Sequence, residues 1–214
     1  MQPVMRSVMR LHLCAMPKIV VLVSSLLAYS GTAFAEPPPI PGELAAEVQG
    51  AERVGRSLFL AFNKADPSVS PTIAKAVAAA EAKSVEHCNV PYRRVVIPSG
   101  EETGSSLYVF LIGTPPPTVG IMGGRHFRIE VASSTDEVIA VKPSTVSCFF
   151  IPRMSEAEAL GKKPVAAFMS HLLSSVPTEF HVFMSMLHQT PFYVATSTGD
   201  WIVEGDKISY VRPR

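Results

Sequence analysis

The sequence predicts an α+β domain in which two N-terminal helices pack on one face of a mostly antiparallel sheet of about seven to nine strands. Three observations carry that expectation. Between Glu43 and Cys88 the apolar side chains recur in steps of three and four, the period of a helix with one buried face. From Tyr92 onward they alternate, or run as short apolar stretches between turn residues, the period of strands. No strand–helix–strand repeat is visible, which argues against a doubly wound nucleotide-binding fold.

A leader precedes the domain. Residues 1–18 carry Arg6, Arg10 and Lys18 and no acidic side chain, and "IVVLVSSLLAY" (19–29) is an apolar run of signal-peptide length, short for a membrane span. Ala33 and Ala35 in "SGTAFAEPPP" form the small-x-small pattern of a signal-peptidase site, so residues 1–35 are expected to be removed. Met16 gives a more compact leader than Met1 and competes with it as the true start. "EPPPIPG" (36–42) is an extended, Pro-rich lead-in to a single domain spanning 43–214. The expected address is the periplasm or the exterior of the cell.

Charge and composition exclude several partners. The whole chain has 19 Lys and Arg against 18 Asp and Glu; losing the three leader cations leaves 16 against 18. Such a balance gives no basic footprint for nucleic acid or an anionic membrane surface. No apolar stretch of about 18 residues follows the leader, so no membrane span is expected after cleavage. Cys14 falls within the leader, which leaves Cys88 and Cys148 as an even pair, expected to be bridged in an oxidising compartment.

The elements follow in order. Leu44, Val48, Ala51, Leu58 and Phe62 form the stripe of a first helix ending near Asn63. "NKADPSVSP" breaks it, and Ser70-Pro71 supplies an N-cap and a first-turn proline for a second helix. The stripe of that helix is Ile73, Val77, Ala80, Ser84 and Cys88, which places Cys88 at a helix end. "YRRVVI", "LYVFLIG" and "HFRIEVA" read as strands; in the third, Phe127, Ile129 and Val131 alternate with His126, Arg128 and Glu130, so one face is expected to be wet. "VIAV" and "VSCFFI" continue the sheet, with Val146, Cys148 and Phe150 on one face. Ser155, Glu158 and Gly161 cap a short connecting helix. The last third is read as extended throughout: "AAFMSHLL", "TEFHVFMSMLHQTP", "FYVATS", "WIVE" and "KISYV".

The stretch 178–191 decides the chemistry. As a helix it stripes Phe180, Phe183, Met184 and Leu187; as a strand it stripes Phe180, Val182, Met184 and Met186, and the counts are equal. The third residue after Thr178 is His181 rather than Glu or Gln, so no capping box is expected, and the neighbours are strand-like. The strand is therefore favoured. It sends His181 and His188 to opposite faces and forbids a shared metal, and no cofactor is expected.

On the solvent side of the sheet, His126, Glu130, Glu179 and His181 would form a polar cluster if their strands are neighbours. His126 and His181, with Glu179 orienting a ring, are the candidate catalytic residues. His171 reads as a hydrogen-bonded core histidine, His87 as exposed, and Trp201 as a core anchor beside Val203. Motifs that activate a nucleophile are missing: there is no G-x-S-x-G elbow, and "GIMGG" (120–124) precedes a strand rather than a phosphate-cradling helix.

No motif places the chain in a named family. The expectation is an exported, disulfide-bonded, non-catalytic binding or envelope-associated module whose partner is an envelope protein or a small ligand. Two alternatives stand beside it. One is an exported hydrolase with His126 or His181 as general base; the other is an inhibitor presenting "PSGEETGSS" or "TPPP" to a protein partner.

Overall fold

The computed structural model describes residues 37–64, 71–83, 85–99, 106–116, 118, 120–151 and 166–214. The leader, the cap at Ser70, most of the "PSGEETGSS" loop and the short connecting helix at 155–161 lie outside the described residues.

The chain is α+β. In order, the elements are α1 (Gly42–Phe62), α2 (Pro71–Ala82), β1 (Tyr92–Pro98), β2 (Ser106–Gly113), β3 (Ile121–Met122), β4 (Phe127–Ala132), β5 (Val138–Pro143), β6 (Phe150–Ile151), β7 (Ala167–Ser170), α3 (Glu179–His188), β8 (Phe192–Ala195), β9 (Gly199–Glu204) and β10 (Lys207–Pro213). The strands form two four-stranded sheets, β1-β2-β4-β5 and β10-β9-β8-β7, and a ribbon of β3 with β6. Among the described residues every pairing is antiparallel except β7 with β8. That exception requires a crossover, which α3 supplies.

The two N-terminal helices sit on opposite faces of the first sheet rather than sharing one. Val95, Ile97, Phe110 and Ile112 belong to the main core with Val48, Val54 and Leu58 of α1, with α3 and with the inner face of the second sheet. Val109, Leu111, Phe127, Ile129 and Val131 form a second core under Ala76 and Ala80 of α2. Strand alternation explains the division, because a sheet with apolar side chains on both faces needs a cover on each. The face of β4 expected to be wet is consequently half-buried at Arg128 and Glu130.

Two boundaries shift. Helix α2 ends at Ala82, so Cys88 lies in the loop beyond it instead of on the helical stripe. Strand β6 is only Phe150–Ile151, and Cys148 precedes it in irregular chain where Val146 is exposed. The Cys88–Cys148 disulfide is present, with Cα atoms 5.9 Å apart. It joins two loops at one end of the first sheet, closing a segment whose ends are 60 residues apart.

The largest correction concerns 178–191, which is helix α3 and not a strand. Pro177 precedes its cap, and the main-chain N–H of Thr178 donates to His181 Nδ1 at 3.0 Å, so the imidazole fills the place a glutamate or glutamine takes in a capping box. The helix stops at Gln189, whose φ of 50° is left-handed. Residues Glu179 to Ser185 are all buried, because α3 is covered by α1 on one side and by the sheets elsewhere. A helix buried all round shows no polar face, and its period is lost among the apolar residues. Helix α1 approaches it closely at Gly55, where an added Cβ would come within 2.6 Å of the Val182 side chain and 2.8 Å of the Glu179 carbonyl oxygen.

Candidate functional site

The candidate residues converge on the N-terminal half of α3, but inside the protein and not on a wet sheet face. His126, His171 and His181 are each 2 % exposed and Glu179 is 6 % exposed. His126 stacks on Phe180 with ring centroids 5.8 Å apart, and His181 meets His171 edge-on at 4.8 Å.

Each side chain is committed to a bond that holds elements together. His126 Nδ1 accepts from the Gly113 N–H at 3.1 Å, and its Nε2 lies 3.0 Å from the Met122 carbonyl oxygen, which fixes the proton on Nε2. The His126 main chain bonds Ser144 twice, through its N–H to Oγ at 3.0 Å and through its carbonyl to the Ser144 N–H at 2.7 Å. One residue thus ties the ends of β2, β3 and β5. Burial lowers the His126 pKa to about 4, against a smaller raising effect from the Met122 carbonyl. Burial also lowers His181 to about 3, and the neighbouring His171 pushes in the same direction. Both are neutral imidazoles at neutral pH.

Glu179 does not orient a histidine. Its Oε1 takes a 2.8 Å ion pair from Arg128 Nη1, and the guanidinium lies over the Tyr108 ring at 4.8 Å. Glu130 is apart from this group and accepts from Ser106 Oγ at 3.0 Å. Ser185 Oγ lies 2.9 Å from the Thr190 carbonyl and 3.2 Å from that of Val203, and accepts from the Gly205 N–H at 2.9 Å. His188, at the far end of α3, lines a cavity of about 360 Å³ with Phe62, Met122, His126 and Leu187. Among the described residues no group of three or more His, Cys, Asp or Glu side chains could hold a metal ion.

His171 is buried as expected, yet among the described residues its Nε2 has no hydrogen-bond partner. Trp201 is fully buried, with its indole N–H donating to Thr196 Oγ1 at 2.9 Å. His87 is exposed, beyond the end of α2, and packs edge-on against Tyr92.

Two larger open features lie elsewhere among the described residues. A cleft of about 680 Å³ runs from α1 to the N-terminus of α3 past Arg128 and Glu179. A groove of about 1360 Å³ follows β1, the edge strand of the first sheet, between α1 and α2. Arg53, Lys64, Arg93 and Arg94 line the groove, and no carboxylate does among the described residues. Sequence reasoning took Arg93 and Arg94 only as the start of a strand; the adjacent pair of cations in "YRRVVI" was the available signal.

The chain matches no protein-family model, no curated protein and no solved structure. Its chemistry rests on its own residues.

Proposed function

We propose that this is an exported, non-catalytic binding module that works in the periplasm or outside the cell. The observation that carries the reading is the commitment of His126: both ring nitrogens are bonded to main-chain groups, so neither is available as a general base without breaking the seam between β2 and β3. The Glu179 carboxylate is likewise engaged by Arg128. Binding surface, by contrast, is plentiful along the β1 groove and the Arg128–Glu179 cleft. The leader pattern and the Cys88–Cys148 bridge favour an oxidising compartment.

The test uses the mature, oxidised protein. Immobilised, it should retain one partner from envelope or medium fractions, and titration with that purified partner should saturate at fixed stoichiometry. Against a panel of ester, amide and glycoside substrates it should show no turnover above buffer. Turnover that disappears in His126→Gln or His181→Gln would overturn the reading in favour of the hydrolase, and recovery of the protein in the cytoplasm with residue 20 intact would overturn export.

A further inference from the structure

We propose that the outer edge of β1, unpaired among the described residues, is a strand-addition site for an extended segment of a partner protein in which acidic side chains alternate with apolar ones. The inference deepens the binding-module reading and rests on it.

The backbone register supplies the first half of the argument. Pro91 and Thr114, and Ser99 and Ser106, are opposed pairs in the β1–β2 ladder, and each is joined by a hydrogen bond, Thr114 N–H to Pro91 O at 2.8 Å and Ser99 N–H to Ser106 O at 3.2 Å. In an antiparallel ladder the residues of bonded pairs turn both polar groups toward the partner, and the residues between them turn both outward. The odd-numbered residues of β1 therefore face β2, and Arg94 and Val96 point their N–H and C=O away from the sheet. Among the described residues no strand pairs with that edge. Such a row of donors and acceptors is a template for another strand. Pro98 has no N–H, so pairing is confined to about five residues of an incoming chain, at ~3.4 Å each.

The walls supply the second half. Side chains of an added strand alternate between the α1 side and the α2 side. On the α1 side they meet Lys64 and Arg93, which favour carboxylates. The Arg93 guanidinium is bonded to the Lys64 carbonyl at 3.0 Å and lies 4.6 Å above the Phe62 ring, contacts that position its charge without neutralising it. On the α2 side an incoming side chain meets Ile73, Val77 and Val96, and Arg94 there is already paired with Glu81. The occupant that fits is acidic toward α1 and apolar toward α2. A second copy of β1 does not fit, because pairing the edge with itself gathers four arginines in one short ribbon.

The probe is a fluorescent hexapeptide alternating Glu and Val, measured by anisotropy on the oxidised full chain, with a Lys–Val peptide and a backbone N-methylated Glu–Val peptide as controls. The Glu–Val peptide should bind about tenfold or more tightly than either control, and weaken as salt rises. Lys64→Glu should reduce its affinity by about tenfold. Val96→Pro, which removes an outward N–H and leaves the β2 ladder intact, should abolish it while the variant stays folded, with a lower unfolding midpoint because Val96 packs against the core under α2. If that variant fails to fold, the N-methylated peptide still tests the main-chain bonds. Equal binding of the Lys–Val peptide, or no binding of the Glu–Val peptide, overturns the inference. A partner retained equally by wild type and Val96→Pro overturns this site alone and leaves the binding-module reading standing; peptide binding at the edge with no partner retained does the reverse.

Discussion

The imidazole of His181 closes the N-terminus of its own helix: its Nδ1 accepts the Thr178 main-chain N–H at 3.0 Å. A candidate general base is thereby a cap. Replacing His181 with Ala should destabilise the fold by about 2–4 kcal/mol, from an unpaired N–H and a cavity beside His171. Glutamine keeps an acceptor for the cap, so His181→Gln should recover part of that loss. Urea midpoints of the three proteins check the order; equal midpoints would remove the capping role.

Acid should weaken the fold before it protonates most carboxylates. His126 and His181 have folded-state pKa values of about 4 and about 3, lowered by burial. The unfolded chain takes up their protons near pH 6.5. Stability from these residues is therefore full above about pH 6.5 and falls as the pH drops toward the folded values, by about 2 kcal/mol per histidine at pH 5. Denaturant titrations at pH 7 and pH 5 measure it, and His126→Gln should flatten the slope.

Arg128 and Glu179 bridge β4 to the first turn of α3, with side chains only 16 % and 8 % exposed. Glu179→Gln leaves the guanidinium buried beside a neutral partner and should cost about 3 kcal/mol. The double substitution Arg128→Met with Glu179→Gln removes both charges and should be less destabilising than Glu179→Gln alone. A double-mutant cycle on unfolding free energies gives the coupling directly; strict additivity would show that the pair does not act as one.

Reduction should loosen the end of the first sheet. Cys88 and Cys148 enclose a segment with a sequence separation of 60, and removing the bridge returns about 4 kcal/mol of chain entropy to the unfolded state. The Cys88→Ser, Cys148→Ser protein should unfold at lower denaturant than the oxidised chain, and a reducing agent should bring the wild type to the same midpoint.

The amino-acid sequence by itself determined α1, the strands β1, β2, β4, β5, β8, β9 and β10, and the cysteine pair. Helix α1 and strand β4 each have a distinctly apolar face, so residues such as Val48, Leu58, Ile129 and Val131 repeat at the period of their backbone. The tertiary structure alone decided α3, the division into two sheets, and the placing of α1 and α2 on opposite sides of the first. Helix α3 is wrapped in core, and a segment without a solvent face carries no period to read. The histidines follow the same logic: His126 finds its partners at Gly113 and Met122, and His171 meets His181, only because the chain folds them together. The groove along β1 is likewise a product of packing, since Lys64, Arg93 and Val77 come from three elements whose proximity no local pattern records.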